Sequence, residues 1–189
     1  MSDIQAFLLG QGPDHRGRMA EQILSFDDQL WDECHDFIQW LFPLPVESKH
    51  AAYSPVLTEQ DLTDLWNNTI VQSNLINFTN KFCNFLGISI FMPFSANLDF
   101  LPGGASFTTT RYRVSLSKDF SEQSKYWLRA NDHNHLRINR MLQCLVLFGL
   151  ENLAKEIFRC LVMIKCEFSD CITDDTMVYW RNALTGYSY

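Results

Sequence analysis

Apolar residues along this chain recur mostly at three- and four-residue spacing, the period at which a helix presents one face. A short apolar run, Ile4–Leu9, ends at Gly10, Gly12 and Pro13, and a turn or helix follows over about Arg18–Leu24. Ser25 with Asp28 has capping-box spacing, with Asp in place of the usual Glu. It predicts a helix over about Asp27–Leu41, which Pro43 and Pro45 stop because neither can donate a backbone hydrogen bond. Val46–Pro55 reads as a loop. Thr58 with Asp61 repeats the capping signal before a helix to about Asn67, and another helix covers Val71–Leu86, ended by Gly87. From Ile88 to Leu116 the helical period fails around Pro93, Pro102, Gly103 and Gly104, and weak alternation at Arg111–Leu116 fits a short strand. So long an irregular stretch is either a functional loop or a tolerated insertion. Ser121–Phe148 reads as one long helix, Leu150–Lys165 as another after Gly149, and Thr173 caps a last helix through about Leu184. The expected fold class is all-α: one domain over residues 1–189, an antiparallel array of roughly seven helices with one long irregular loop.

Two of these helices break their own pattern. At about 100° per residue, Leu30, Trp31, Cys34, Phe37, Ile38, Leu41 and Phe42 share one face of the Asp27–Leu41 helix, with His35 at its edge. Asp36 and Gln39 point away as solvated residues would. Trp40 also lies off the stripe, so it is either an exposed interface anchor or a ring covered by another helix or the Pro43–Pro45 loop. In Ser121–Phe148 the stripe is Trp127, Ile138, Met141, Leu142, Leu145 and Phe148, and Asn134 falls inside it with Arg137 beside it. A buried amide or guanidinium must be paired. Arg137 is therefore expected to meet a carboxylate, with Asp36, Asp28 and Asp27 as candidates, either as a structural clamp or as part of a site. His133 and His135 point about 200° apart on a helix and cannot chelate one metal together.

Composition narrows the function classes. Apolar residues make up 47% and charged residues 20%, too apolar for a disordered chain. The 15 Phe promise a well-filled core. A net charge of −7 disfavours nucleic-acid binding. None of the six cysteines forms a CxxC pair, so no structural zinc site and no cofactor is expected. Cys144 and Cys160 read as core residues. The start has neither a basic region nor a long apolar one, and the longest apolar run, Leu145–Leu150, falls far short of the roughly 20 residues that span a bilayer. The expectation is a cytoplasmic protein without integral membrane association.

Three segments resemble a known family. They are FLLGQGPDHRGR at Phe7–Arg18 leading into ILSFDD at Ile23–Asp28; HDFIQWLFPLP at His35–Pro45 with SPVLT at Ser54–Thr58; and HNHLRINRML at His133–Leu142 with GLENLA at Gly149–Ala154. A closing YWRNAL at Tyr179–Leu184 also fits. Together these resemble the opioid growth factor receptor conserved domain over nearly the whole chain, Ile88–Leu116 excepted. The resemblance implies a helical domain and a ligand-binding activity, since the family includes animal receptors for the pentapeptide Met-enkephalin. The chain is similar to the family's compact microbial members: it carries neither a basic nuclear-localisation run nor a C-terminal repeat tract. The resemblance implies no catalytic residues.

The leading expectation is a module that binds a peptide or small molecule where His35–Phe42 and His133–Arg140 converge. Its candidate ligand-binding residues are His35, Asp36, Gln39, Trp40, His133, Asn134, His135, Arg137 and Arg140. There Trp40 would stack, His35 and His133 would hydrogen-bond, and Arg140 would hold a carboxylate. The alternatives are an enzyme using the His/Asp/Arg cluster, against which stands the lack of any nucleophile, phosphate-loop or metal signature, and a scaffold that docks a protein partner through Ile88–Leu116.

Overall fold

Five helix starts in the computed structural model are set by side chains, of Ser2, Asp27, Thr58, Asp132 and Thr173, that accept from a first-turn backbone N–H group. The structure describes residues 1–48, 53–92 and 111–185, and among them it holds ten α-helices and one small sheet. The chain divides into two compact units, Met1–Phe85 and Leu86–Tyr189.

The first unit contains α1 (Asp3–Leu8), α2 (Ala20–Leu24), α3 (Asp28–Glu33), α4 (Ile38–Leu41), α5 (Glu59–Leu65) and α6 (Thr69–Phe85). Ser2 caps α1 in a capping box with Gln5, and Thr58 does the same for α5 with Asp61. The two caps interlock: Ser2 Oγ donates to Asp61 Oδ1 at 2.6 Å, and Gln5 Nε2 donates to Asp64 Oδ2 at 2.9 Å. Helix α6 buries Val71, Leu75, Ile76, Phe78, Phe82 and Phe85, the three-and-four spacing of an inward face. Rings fill the space against it. Trp31 stacks on Phe82 at 5.8 Å and meets Phe37 edge-on at 4.9 Å, while Phe7 packs against Phe78 at 6.3 Å. Such pairs add about 0.5–1.5 kcal/mol each beyond their buried area.

The expected Asp27–Leu41 helix is in fact two. Its cap is Asp27, whose side chain accepts from Leu30 N, and Ser25 instead terminates α2. Cys34 turns extended, with ψ at 125°, and α4 begins only at Ile38. Cys, His and Asp are weak helix formers, and Asp36 is drawn to partners outside the helix. The break resets the helical register. Gln39 and Trp40, expected off the apolar stripe, are buried at 5% exposure each, whereas Leu30 is 46% exposed.

The second unit pairs β1 (Ile88–Phe91) with β2 (Arg113–Leu116) antiparallel, Ile88 opposite Leu116 and Phe91 opposite Arg113. A purely all-α fold therefore needs correcting to a mainly helical one with a two-stranded sheet. The strand expected near Arg111–Leu116 is present. Residues 93–110 of the expected irregular loop lie outside the described residues. Then come α7 (Phe120–Gln123), a 3-10 turn (Ser124–Tyr126), α8 (His133–Leu147), α9 (Glu151–Glu167) and α10 (Asp174–Ala183). Helices α8, α9 and α10 pack on one another and β2 lies on α9.

The expected Ser121–Phe148 helix is interrupted too. Trp127 leaves the helical path to bury its ring and donate from Nε1 to Leu86 O at 3.0 Å. Asn131 adopts a left-handed φ of 60°, and Asp132 caps a fresh start at α8. These breaks explain why the helices outnumber the expected seven. Among the described residues no helix is long and apolar enough to cross a membrane.

Gly87, at φ 75°, permits a close approach that no other residue would. A Cβ there would sit 2.8 Å from Phe120 Cα. Gly87→Ala is expected to destabilise the chain by about 2 kcal/mol or more, combining left-handed strain with a backbone clash. Urea denaturation monitored by tryptophan fluorescence checks it, and a midpoint equal to wild type would contradict the packing described.

Candidate functional site

The loop between α1 and α2 is a closed turn built around one carboxylate. Asp14 Oδ1 accepts from the backbone N of Arg16 at 2.8 Å and of Arg18 at 2.9 Å. Asp14 N bonds Arg18 O at 2.9 Å, and Gly17 stands at φ 78°. This is the side-chain-to-backbone turn that Asp favours. The Asp14 side chain is wholly buried, and its Oδ2 takes Arg18 Nε at 2.7 Å.

Arg18 then bridges to the α3–α4 break. Its Nη2 donates to Asp36 Oδ1 at 2.9 Å, and its guanidinium lies 6.0 Å from the Phe26 ring centre. Cys34 Sγ donates to the same Asp36 oxygen at 3.1 Å. Arg16 closes the cluster by pairing Nε with Asp36 Oδ2. Partial burial disfavours the Asp36 charge, but the Cys34 and Arg18 hydrogen bonds and the Arg18 and Arg16 charges outweigh it, so its carboxyl is held below the usual carboxylate range. Burial likewise opposes the Arg18 charge, yet Asp14 and Asp36 raise its pKa above the ordinary arginine value.

Rings stand beside these charges. His15 stacks on Trp40 at 6.0 Å with 12° between planes, and on Tyr53 at 5.9 Å with 19°. Trp40 meets the buried Phe7 edge-on at 5.4 Å. The result is a column running from the core through Trp40 and His15 to Tyr53, which is 75% exposed. His15 Nε2 lies 4.0 Å from Asp36 Oδ2. The two readings of Trp40 resolve to a covered ring, with Phe7 and His15 as the cover. Its Nε1 and the Oε1 of Gln39 are buried and have no hydrogen-bond partner among the described residues, while Gln39 Nε2 reaches Ser48 Oγ at 3.5 Å.

The structure thus brings Asp36 and Trp40 together within one unit and leaves His35 exposed nearby in sequence. His133, Asn134, His135, Arg137 and Arg140 belong to the other unit. Asn134 is fully buried and Arg137 nearly so, as the stripe implied. Asn134 Nδ2 donates to Tyr126 O at 3.3 Å, and Arg137 Nη1 donates to Asn134 Oδ1 at 3.1 Å. Asp132 caps the helix through Asn134 N at 2.8 Å and takes Arg129 Nε at 2.6 Å, with His133 Nδ1 3.6 Å away. The His135 ring is set edge-on between Trp127 and Trp180, and Trp180 Nε1 donates to His135 O at 2.9 Å. Burial pushes the His135 pKa below the ordinary histidine value, against the opposing pull of Asp132 and the Trp127 backbone. Arg140 is half-buried. These contacts knit the start of α8 to the preceding turn and to α10.

Reasoning from helical period missed Asp14, His15, Arg16, Arg18 and Tyr53, which sit in loops and carry no period. The available signal was the density of charge between glycines in GPDHRGR. Among the described residues no group of three or more His, Cys, Asp or Glu side chains is placed to hold a metal ion.

A carboxyl with a depressed folded pKa stabilises the fold above its unfolded value, about 3.9, and that contribution is lost as pH falls through the folded value. The stability gap between wild type and Asp36→Asn should therefore be widest near pH 6 and narrow below about pH 4. Urea midpoints measured at pH 6, 4 and 3 test this, and a gap independent of pH would remove the ion pairs from the account.

The family model described as the opioid growth factor receptor conserved region matches residues 19–186. No curated protein and no solved structure matches the chain.

Proposed function

The chain belongs to the opioid growth factor receptor family through its conserved region, and we propose that it is a ligand-binding domain whose site is the face formed by His15, Trp40, Tyr53 and the Asp36 ion pairs. The observation that carries this reading is the ring column. Its inner end is fixed by Phe7 and its outer end, Tyr53, opens to solvent. An exposed ring backed by two stacked rings is rigid, so little side-chain entropy is lost when a ligand ring extends the stack. The Asp14–Arg18–Asp36 network holds the loop that carries His15, and so fixes the column before any ligand arrives.

The family name supplies the class of ligand, a peptide. Met-enkephalin has an aromatic end and a carboxylate, which suits a face of rings and guanidinium. In this reading the α8 residues His133, Asn134, His135, Arg137 and Arg140 hold the start of their helix, and the ligand contacts fall to the first unit. Catalysis has no comparable support, because the one thiol in the cluster, Cys34, donates to an Asp36 carboxylate that two guanidiniums already hold and that is therefore a weak base.

Calorimetric titration of the protein with Met-enkephalin should give a dissociation constant tighter than about 1 mM. Tyr53→Ala should weaken it about tenfold, the worth of one aromatic stack. Absent binding, or binding indifferent to Tyr53, would remove the reading.

A further inference from the structure

We propose that Arg16 is the specificity-determining residue of this face and selects ligands that carry an anionic group, a carboxylate or a phosphate, next to a planar ring. The inference rests on the binding reading above and deepens it.

The argument begins with how charge is distributed by depth. The cluster holds two carboxylates and two guanidiniums, Asp14, Asp36, Arg16 and Arg18, which sum to zero. Their exposure is unequal: the side chains of Asp14 and Asp36 are 0% and 20% exposed, Arg18 17%, but Arg16 63%. A neutral cluster with one anion sealed, the other mostly covered and one cation outside presents positive charge to the ligand. Depth also decides which ligand charge is refused. Asp36 already receives Arg18 and Cys34 on one oxygen and Arg16 on the other. A ligand ammonium would have to displace a guanidinium to reach it.

Geometry then assigns the bond. Arg16 uses Nε to pair with Asp36. A guanidinium is a planar fork with five N–H donors, so among the described residues Nη1 and Nη2 remain as a second edge on a side chain that is 63% exposed. That edge matches the two oxygens of a carboxylate or phosphate. The ion pair with Asp36 holds Arg16 near the ring column in advance, which an unpaired surface arginine lacks. Arg16 follows His15 directly in the chain, and both reach Asp36 Oδ2, His15 Nε2 at 4.0 Å. The fork and the ring column are therefore neighbours around one oxygen. A ligand whose ring stacks on Tyr53 and whose anion turns toward Arg16 would engage both.

The test compares paired probes that differ only in charge, titrated by calorimetry into wild type, Arg16→Gln, Arg16→Lys and Tyr53→Ala. N-acetyltyrosine is set against N-acetyltyrosinamide, and adenosine monophosphate against adenosine. The free acid or the monophosphate should bind wild type about tenfold tighter than its neutral twin, the worth of one charge-assisted hydrogen bond. A preference in the first pair assigns the anion as carboxylate, one in the second as phosphate. Arg16→Gln should erase the preference of the anionic probe over its neutral twin, and Arg16→Lys should restore part of it. Tyr53→Ala should weaken charged and neutral probes alike. Neutral and anionic probes binding equally to wild type, with Tyr53→Ala still harmful, would overturn the role of Arg16 and leave the binding face standing. A preference that survives in Arg16→Gln would also overturn it. Failure of every probe at millimolar concentration would remove the face itself, and the selectivity with it.

Discussion

The carboxylate of Asp36 organises the first unit. It receives a guanidinium on each oxygen and a thiol besides, and it can do so only if the backbone leaves the helix between Glu33 and Ile38. A side chain on a continuous helix would keep the heading of its turn. The extended Cys34 swings Asp36 toward the α1–α2 loop. The loop answers with arginines already oriented by Asp14, whose side chain is sealed from solvent. Pairing of this kind is costly when one partner is missing and specific when all are present. That specificity is what turns two short, weak helices into a defined joint.

The joint has consequences for the rings. Breaking the helix shifts the register of α4, so Trp40 turns inward onto Phe7 instead of outward into water. The ordered loop stacks His15 on the same indole. Tyr53 completes the column from a third stretch of chain. Three segments far apart in sequence thus meet on one stack, and each is held by a contact that depends on Asp36 or on the core around Phe7. A chain that merely needed to bury Trp40 could have done so without stacking two further rings on it.

Much of this fold was legible in the residues. The spacing of apolar positions placed α5, α6, α9 and α10 to within a few residues, since their caps and stops are local: Thr58 with Asp61, Gly87, Gly149 and Thr173. The same stripe correctly buried Asn134 and Arg137. What was not legible were the two breaks. Both are caused by partners remote in sequence, Arg18 for Asp36 at a separation of 18 and Leu86 for Trp127 at 41. Periodicity sees neither proline nor glycine there and runs straight through. The candidate site was half visible for the same reason. Trp40 stands out against a helical pattern, and Asp36 entered only as a candidate partner for Arg137, whereas His15 and Arg16 lie in a loop where no pattern exists for them to violate.

The two polar clusters differ in a way that separates architecture from recognition. At the start of α8, the amide of Asn134 gives its donor to Tyr126 O and its acceptor to Arg137, and both side chains lie below the surface. A ligand could reach them only by breaking bonds that hold the helix start in place. Around Asp36, as at Asp132 with Arg129, the carboxylate lies deeper than its outer cation, but here an exposed ring stands beside that cation. Groups placed so can meet a ligand without surrendering any existing bond, because Arg16 has an edge and Tyr53 a face to spare. His, Asp and Arg occur in both clusters, and each turns a cation outward, Arg129 at 60% exposure and Arg16 at 63%, but the Asp36 cluster also sets a stacked, exposed tyrosine ring beside its cation.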